Sequence, residues 1–414
     1  MSPNIVHAAT RRELLAGAGV LFAWPFLPKL ARAEGRDPRM LTIILRGALD
    51  GLAAVAPVGD PDWVKLRGDK ALLLDGKTPA LPLDSFFALN PAMPNLHRLY
   101  QAGQAVIVHA TATPYRERSH FDGQDVLESG LPRPGRSDTG WLNRALGGLA
   151  PEARVRSDQR AFAVGPVTPL VVRGPTPVMS WTPTRIQPAS DDTMARLLDL
   201  YHHTDVELAR AIEGRRDLAA IAHADAMAPT EGRPIPQGFP AQVRAFFADA
   251  AGTAAKFLAR EDGPRIGALA FNGWDTHVDE GADSGRLATL LGALDGALAA
   301  AEKSMGEAWR ETVVTVVTEF GRTARINGTN GTDHGTGTIA LLAGGALKGG
   351  RVIADWPGLK NADLYEGRDL AATTDLRAVL KGLLKDHLRV ADEALAASVF
   401  PGSADVAAMA GLVG

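Results

Sequence analysis

The sequence predicts an α/β protein, a mostly parallel sheet with helices on both faces. Three observations lead to that class. Short apolar runs rich in β-branched residues recur along the chain, each of strand length. Between them lie longer segments whose apolar residues return every three or four positions, as on an amphipathic helix. Hydrophobic residues make up 46% of the 414 positions and charged residues 22%, a globular composition that excludes a disordered or fibrous chain.

In chain order, the run Met40-Leu-Thr-Ile-Ile-Leu45 reads as a buried strand that leads into Arg46-Gly-Ala-Leu-Asp50-Gly51. Residues 95–103 have helical spacing and a glycine stop, and 105–110 read as the next strand. A short helix is expected over 124–129. Long amphipathic helices are expected around 191–218 (Met194, Leu197, Leu198, Leu200) and 240–260 (Val243, Phe246, Phe247), separated by a Pro- and Gly-rich loop at 229–240. Residues 265–271 then read as a strand, 286–304 as a helix, 312–318 as a central strand, 338–342 as a strand after a Gly-rich loop, and 374–388 as a late helix. Continuous apolar strands alternating with helices argue for parallel pairing with both faces covered. No internal repeat is visible, so residues 34–414 are read as one domain.

Charge and cysteine content narrow the chemistry. The 44 Lys and Arg against 47 Asp and Glu leave a net charge of −3, which gives no electrostatic reason to expect nucleic acid or an acidic membrane surface as partner. The chain has no cysteine, which excludes disulfides, thiolate metal sites and thiol catalysis. Any metal must therefore be held by His, Asp, Glu or other oxygen ligands, and only 10 histidines are present.

The N-terminus reads as a targeting segment. Arg11-Arg12 precede Glu13 and a mildly apolar stretch to Leu27, broken by Pro25 and too short for a stable membrane span. Ala31-Arg32-Ala33 offers a small-x-small cleavage site after Ala33. The pattern resembles a twin-arginine (Tat) signal over residues 1–33, with a general secretory signal or an uncleaved anchor as alternatives. It implies the Tat translocase as a partner during export and a periplasmic or secreted destination.

Potential ligands collect at the expected strand ends, where open α/β sheets place their crevice. Asp50 follows the first strand; Asp275 and His277 follow the strand at 265–271; Glu319 directly follows 312–318; Asp333-His334 sit in Gly-Thr-Asp-His-Gly-Thr-Gly before the strand at 338–342. Such a carboxylate and imidazole set suits zinc or manganese, with magnesium or calcium as alternatives. A second constellation is Thr113-Pro-Tyr-Arg-Glu-Arg-Ser-His-Phe-Asp-Gly-Gln-Asp125. Ser119, at a loop-to-helix junction, is the candidate nucleophile, with Arg116, Arg118 and His120 as anion-binding or proton-transfer candidates. The bland alternatives are a helix cap for Ser119, a turn for Asp50 and an internal Glu319–Arg322 pair. His97, His387 and His202-His203 are read as packing or surface residues.

Together, the twin-arginine leader, Leu-Arg-Gly-Ala-Leu-Asp-Gly, Arg-Ser-His-Phe-Asp-Gly-Gln-Asp, Gly-Trp-Asp-Thr-His, Thr-Glu-Phe-Gly-Arg-Thr and Asp-His-Gly-Thr-Gly resemble the family known as domain of unknown function 1501, from about residue 40 to 390. That family is grouped with the alkaline-phosphatase-like superfamily of phosphatases, sulfatases and metal-dependent phosphomutases. The resemblance implies an alkaline-phosphatase-like fold and carries functional roles onto Asp50, Ser119, Asp275 with His277, Glu319 and His334. Two departures stand out. The superfamily spacing Asp-x-x-x-His is here Asp275-Thr276-His277, and Phe320 stands where a histidine is usual, so Asp333 or Asp279 is expected to compensate. The expectation is an exported metal-dependent hydrolase of small-molecule or polymeric phosphate or sulfate esters. Its alternative is a secreted cell-envelope binding or assembly protein that keeps the fold without turnover. Specificity would lie in the loops at 55–90, 131–190 and 225–240.

Overall fold

The apolar runs pair into one nine-stranded sheet. The computed structural model describes residues 36–135, 137–147, 161–164, 168–176, 178–181, 239–261 and 263–414. Among them are twelve strands: β1 (Arg39–Arg46), β2 (Val55–Ala56), β3 (Leu81–Pro82), β4 (Ala88–Leu89), β5 (Ala105–Ala112), β6 (Ala161–Val164), β7 (Val178–Trp181), β8 (Ile266–Asn272), β9 (Thr312–Thr318), β10 (Thr338–Ala343), β11 (Arg351–Ile353) and β12 (Thr374–Asp375). The large sheet runs β11-β5-β10-β9-β1-β8-β6-β7, with β12 also paired to β5; β2, β4 and β3 form a small satellite sheet. Within the large sheet only β10 runs antiparallel to its neighbours, β5 and β9. The predicted class, a mostly parallel sheet surrounded by helices, is the observed one.

Burial explains why these runs were readable. Every residue of β5, β9 and β10 is buried, and all of β1 except Arg46. Because alternate residues point to opposite faces, such burial requires cover on both sides. Helices supply it. The helix Phe239–Ala259 stacks Phe247 on Phe271 of β8, ring centroids 3.8 Å apart and the planes nearly parallel at 7°. The helix Arg286–Met305 buries Leu287, Leu290, Leu291, Leu294 and Leu298 at helical spacing. Each fully buried leucine contributes about 1.5–3 kcal/mol of transfer free energy.

Several boundaries differ from expectation for identifiable reasons. The helix expected over 124–129 begins at His120, because Ser119 already has the extended backbone of an N-cap. The late helix is Leu376–Asp386; Thr374 and Asp375 instead pair with β5 as β12, and Asp375 caps the helix by accepting from Arg377 N. The expected leader at 1–33, the helix at 191–218 with Met194, Leu197, Leu198 and Leu200, and His202-His203 lie outside the described residues. Among the described residues, no helix is long and apolar enough to cross a membrane.

Register brings the chemistry to one edge. Leu45 of β1 pairs with both Phe271 of β8 and Thr318 of β9, so these three strands end level with one another. β10 is antiparallel, and its first residue Thr338 pairs with Thr111 near the end of β5. The loop before β10 therefore emerges at the same edge as the loops after β1, β5, β8 and β9. Asp333-His334 precede their strand, yet they reach the others for this reason.

Candidate metal centre

Three side chains bring ligand atoms together at this edge, and a fourth, His277, lies against two of them. The Nε2 of His277 is 3.0 Å from Asp275 Oδ1 and 3.0 Å from His334 Nε2. His334 Nε2 lies 3.4 Å from Asp275 Oδ1, and His120 Nε2 lies 3.4 Å from Asp275 Oδ2. The ligand atoms of His120, Asp275 and His334 all fall within 4.8 Å of one another. The loop after β8 supplies Asp275 and His277, the loop before β10 supplies His334, and the first residue of the helix His120–Ser129 supplies His120.

The other ring nitrogen of each histidine is already committed. His120 Nδ1 donates to Glu319 Oε1 at 2.9 Å, His277 Nδ1 to Asp333 Oδ1 at 3.1 Å, and His334 Nδ1 to the carbonyl of Arg118 at 2.9 Å. With the proton on Nδ1, each neutral imidazole presents a bare Nε2 lone pair to the centre. The Nε2 of His120 is buried and has no hydrogen-bond partner. An acceptor buried without a donor is costly unless something occupies it. His120, Asp275 and His334 bring ligand atoms close enough to hold one cation, with His277 Nε2 beside them and each nitrogen tethered from behind.

Glu319 and Asp333 stand behind the histidines rather than beside them. Glu319 is fully buried; besides His120 it accepts from Gly47 N (2.8 Å), Gln124 Nε2 (3.1 Å) and Thr318 Oγ1 (3.0 Å). Burial alone would raise its pKa, but the His120 hydrogen bond and the backbone donors outweigh it, and Glu319 is held below the ordinary value. The same hydrogen bond raises His120 above the ordinary histidine value against the effect of burial, which makes it a more basic ligand. His334 is lowered, by burial first and then by the neighbouring His120. Asp333 is held low by Asn327 Nδ2 (3.1 Å) and by His277. At Asp275 burial pulls upward, yet the 2.6 Å bond from Arg322 Nη1 and its charge prevail and lower the pKa.

Local backbone and packing fix this arrangement. Gly47 has φ of +119°, and a Cβ there would sit 2.5 Å from Asp275 N, so the turn after β1 requires glycine. Phe320 stacks on the His120 ring at 5.1 Å and lies 5.5 Å from the His334 ring, a wall in place of a further ligand. Arg118 takes φ of +62°, which turns its carbonyl toward His334. Beside Asp333 opens a cavity of about 170 Å³ lined in part by Arg325, Asn327 and Arg368.

Other expected residues are placed differently. Asp50 does not join the cluster: both of its oxygens are held by Arg67, at 2.5 and 2.9 Å, and Oδ1 also caps Ala53 N. Arg118 is committed to Asp369 (2.9 Å) and Glu366 (2.6 Å), and Arg116 to the carbonyls of Thr113 and Tyr115. Ser119 is partly buried at the helix start and makes no side-chain capping bond. Asp279 meets the 327–334 loop through its backbone, donating from N to Thr329 O. The alternative reading of a Glu319–Arg322 pair does not hold either, since Arg322 pairs with Asp275. Sequence reasoning missed Arg67, Glu280 and Asn327 altogether; Gln124 and Arg322 stood inside quoted motifs without a role, and the partner of Arg322 lies 47 positions away.

No curated protein matches the chain. Solved structures that align with it include the phosphonate monoester hydrolase of Agrobacterium radiobacter, at 13% identity over 86% of this chain and 74% of that one, TM-score 0.35. Others are Ps i-CgsB in complex with k-i-k-neocarrahexaose (10% identity, 78% of this chain and 69% of that one, TM-score 0.35) and a Bacteroides thetaiotaomicron protein from a study of glycosaminoglycan metabolism (9%, 86% and 74%, TM-score 0.32). The model of one protein family matches residues 100–399, a span that holds every residue of the His and Asp cluster and leaves β1 and Asp50 outside. The chain therefore belongs to the family described as Protein of unknown function (DUF1501).

Proposed function

We propose that the chain is an exported, metal-dependent hydrolase of phosphate or sulfate esters. The observation that carries this reading is the convergence of three tethered imidazole Nε2 atoms on Asp275 at the carboxyl edge of the sheet. His120, His277, His334 and Asp275 would hold the cation; Glu319, Asp333 and the Arg118 carbonyl would fix their orientation. When bound, a divalent cation supplies Lewis-acid polarisation and charge neutralisation at the ester oxygens.

Ser119 is the proposed nucleophile. It starts a ten-residue helix whose first N–H groups have no intrahelical partner and favour an anion. Its oxygen would lose its proton to solvent and form the new bond to phosphorus or sulfur as the ester oxygen leaves and takes up a proton; water would then release the phosphate or sulfate and restore the hydroxyl. The leaving group would enter the cavity beside Asp333, which has Arg325 and Asn327 on its wall. A second reading, a cell-envelope binding or assembly protein without turnover, is favoured by one observation: Asp50, expected as a ligand, is neutralised by Arg67.

Elemental analysis of protein purified without chelator, paired with assays on chromogenic phosphate and sulfate esters, separates these readings. Stoichiometric zinc or manganese with turnover is expected, and His334→Ala should lose both. Metal without turnover supports the binding protein, and no metal in the wild type overturns the centre itself. Export through the Tat route is proposed from Arg11-Arg12, and recovery of the protein only from the cytoplasmic fraction would refute it.

A further inference from the structure

Behind the cluster a third carboxylate, after Glu319 and Asp333, ties together the two loops that carry its ligands. Glu280 is 1% exposed. Its Oε1 accepts from the hydroxyl of Thr276, between Asp275 and His277, and its Oε2 from the hydroxyl of Thr332, directly before Asp333-His334; both distances are 2.8 Å. Thr332 Oγ1 in turn accepts from Arg322 Nε at 3.1 Å, and Arg322 Nη1 holds Asp275 Oδ1 at 2.6 Å. The circuit closes through the chain: Glu280, Thr332, Arg322, Asp275, Thr276 and back to Glu280.

We propose that Glu280 is a positioning residue for the metal centre, setting the separation of the 275–277 and 332–334 loops and the aim of Arg322 at Asp275. The proposal rests on the metal-centre reading above. Backbone bonds join the same loops, from Thr332 N to Thr276 O (3.1 Å) and from Glu280 N to Asn330 O (3.0 Å), so the loops stay adjacent without the carboxylate. What the carboxylate adds is simultaneous acceptance from two hydroxyls. A glutamine cannot accept from both hydroxyls: with its oxygen facing Thr332, its amide nitrogen faces Thr276 as a second donor, and the Thr276 hydroxyl must turn away toward Trp274 O, 3.4 Å off. An aspartate is one methylene shorter and cannot keep both contacts at their present length.

The test is the affinity of the folded protein for Zn²⁺, read by competition with a chromogenic chelator, alongside the thermal midpoint of the metal-free form. Glu280→Gln and Glu280→Asp should both weaken Zn²⁺ binding about 10- to 100-fold, the range for partners that orient ligands from behind. Thr332→Val removes one arm of the circuit and keeps the test open should the Glu280 variants fail to fold; it should weaken binding in the same direction. Asp295→Asn alters another buried acid, one that holds the start of helix Pro94–Gln101 through Asn95 and Leu96, and should lower the midpoint with Zn²⁺ affinity unchanged. Wild-type affinity in folded Glu280→Gln or Thr332→Val protein would overturn the positioning role while leaving the metal centre intact. Absence of Zn²⁺ binding in the wild type would overturn both.

Discussion

Asp50 follows β1 and Asp275 follows β8, the strand paired with it, and each carboxylate meets an arginine. Their surroundings make them different objects. The Asp50 side chain is 1% exposed, its arginine equally so, and the pair is bidentate. The Asp275 side chain is 41% exposed, its arginine takes one oxygen, and three histidine Nε2 atoms lie within 3.0–3.4 Å. A carboxylate sealed with a full counter-charge is structural. One left half open, with lone pairs arranged around it, is available to a ligand. The difference lies in what the neighbouring loops bring, and an Asp at a strand end does not reveal it.

The strongest way to break this contrast is Arg67→Ala. It leaves Asp50 as an uncompensated buried charge, which should cost about 3–5 kcal/mol of stability. Metal content per folded molecule should fall far less than stability, because Asp50 is not among the clustered ligand atoms and reaches the centre only through its charge on Glu280. Denaturant unfolding and elemental analysis on the same preparation check both parts. Retained stability with lost metal would place Asp50 in the centre after all.

Protons sharpen the same contrast. His109, on the Asp50 side and fully buried, and His387, buried against the carbonyl of Arg39, are both lowered to about 4, chiefly by burial. A histidine with a depressed folded pKa is neutral in the fold and takes a proton on unfolding. Its stabilising effect is whole above the unfolded value near 6.5 and is lost as pH falls toward 4. At about 1.4 kcal/mol per unit, each should cost about 3 kcal/mol across that window. Unfolding free energies at pH 7, 5.5 and 4.5 should fall accordingly, with His387→Gln flattening the slope. Because neither histidine is one of the clustered ligands, the fall should persist in metal-free wild-type protein; a flat wild-type profile refutes the assignment.

Much of the sheet was legible because its strands are largely buried on both faces, so β1, β5, β8, β9 and β10 appear as near-continuous runs of apolar residues and threonine. Strand direction was not legible: nothing in Thr338–Ala343 says that it runs antiparallel, yet that reversal delivers His334 to the other ligands. Two- and three-residue strands such as β2, β3 and β11 exist through long-range pairing and leave no local pattern. At the site, residue types carried the signal and partners did not. His120 stood out beside Ser119, but its tether Glu319 lies 199 positions away, and the seal on Asp50 comes from Arg67 in a stretch with no motif.

The smallest expected effect on stability is at Ser119, and for that reason it discriminates best. A serine that caps a helix through its side chain is worth about 0.5–2 kcal/mol, and its removal leaves a helix N–H unsatisfied. Ser119 has the extended backbone of an N-cap but makes no side-chain capping bond, so Ser119→Ala should change the unfolding free energy by under about 0.5 kcal/mol. Metal content should be unchanged, because no ligand atom is removed and the histidine tethers to Glu319, Asp333 and the Arg118 carbonyl remain. Turnover of a phosphate or sulfate ester should vanish if this hydroxyl forms the covalent bond. A variant that is stable, loaded with metal and still active would remove Ser119 from the chemistry and leave the open aspartate with its three histidines as the whole of the reactive centre.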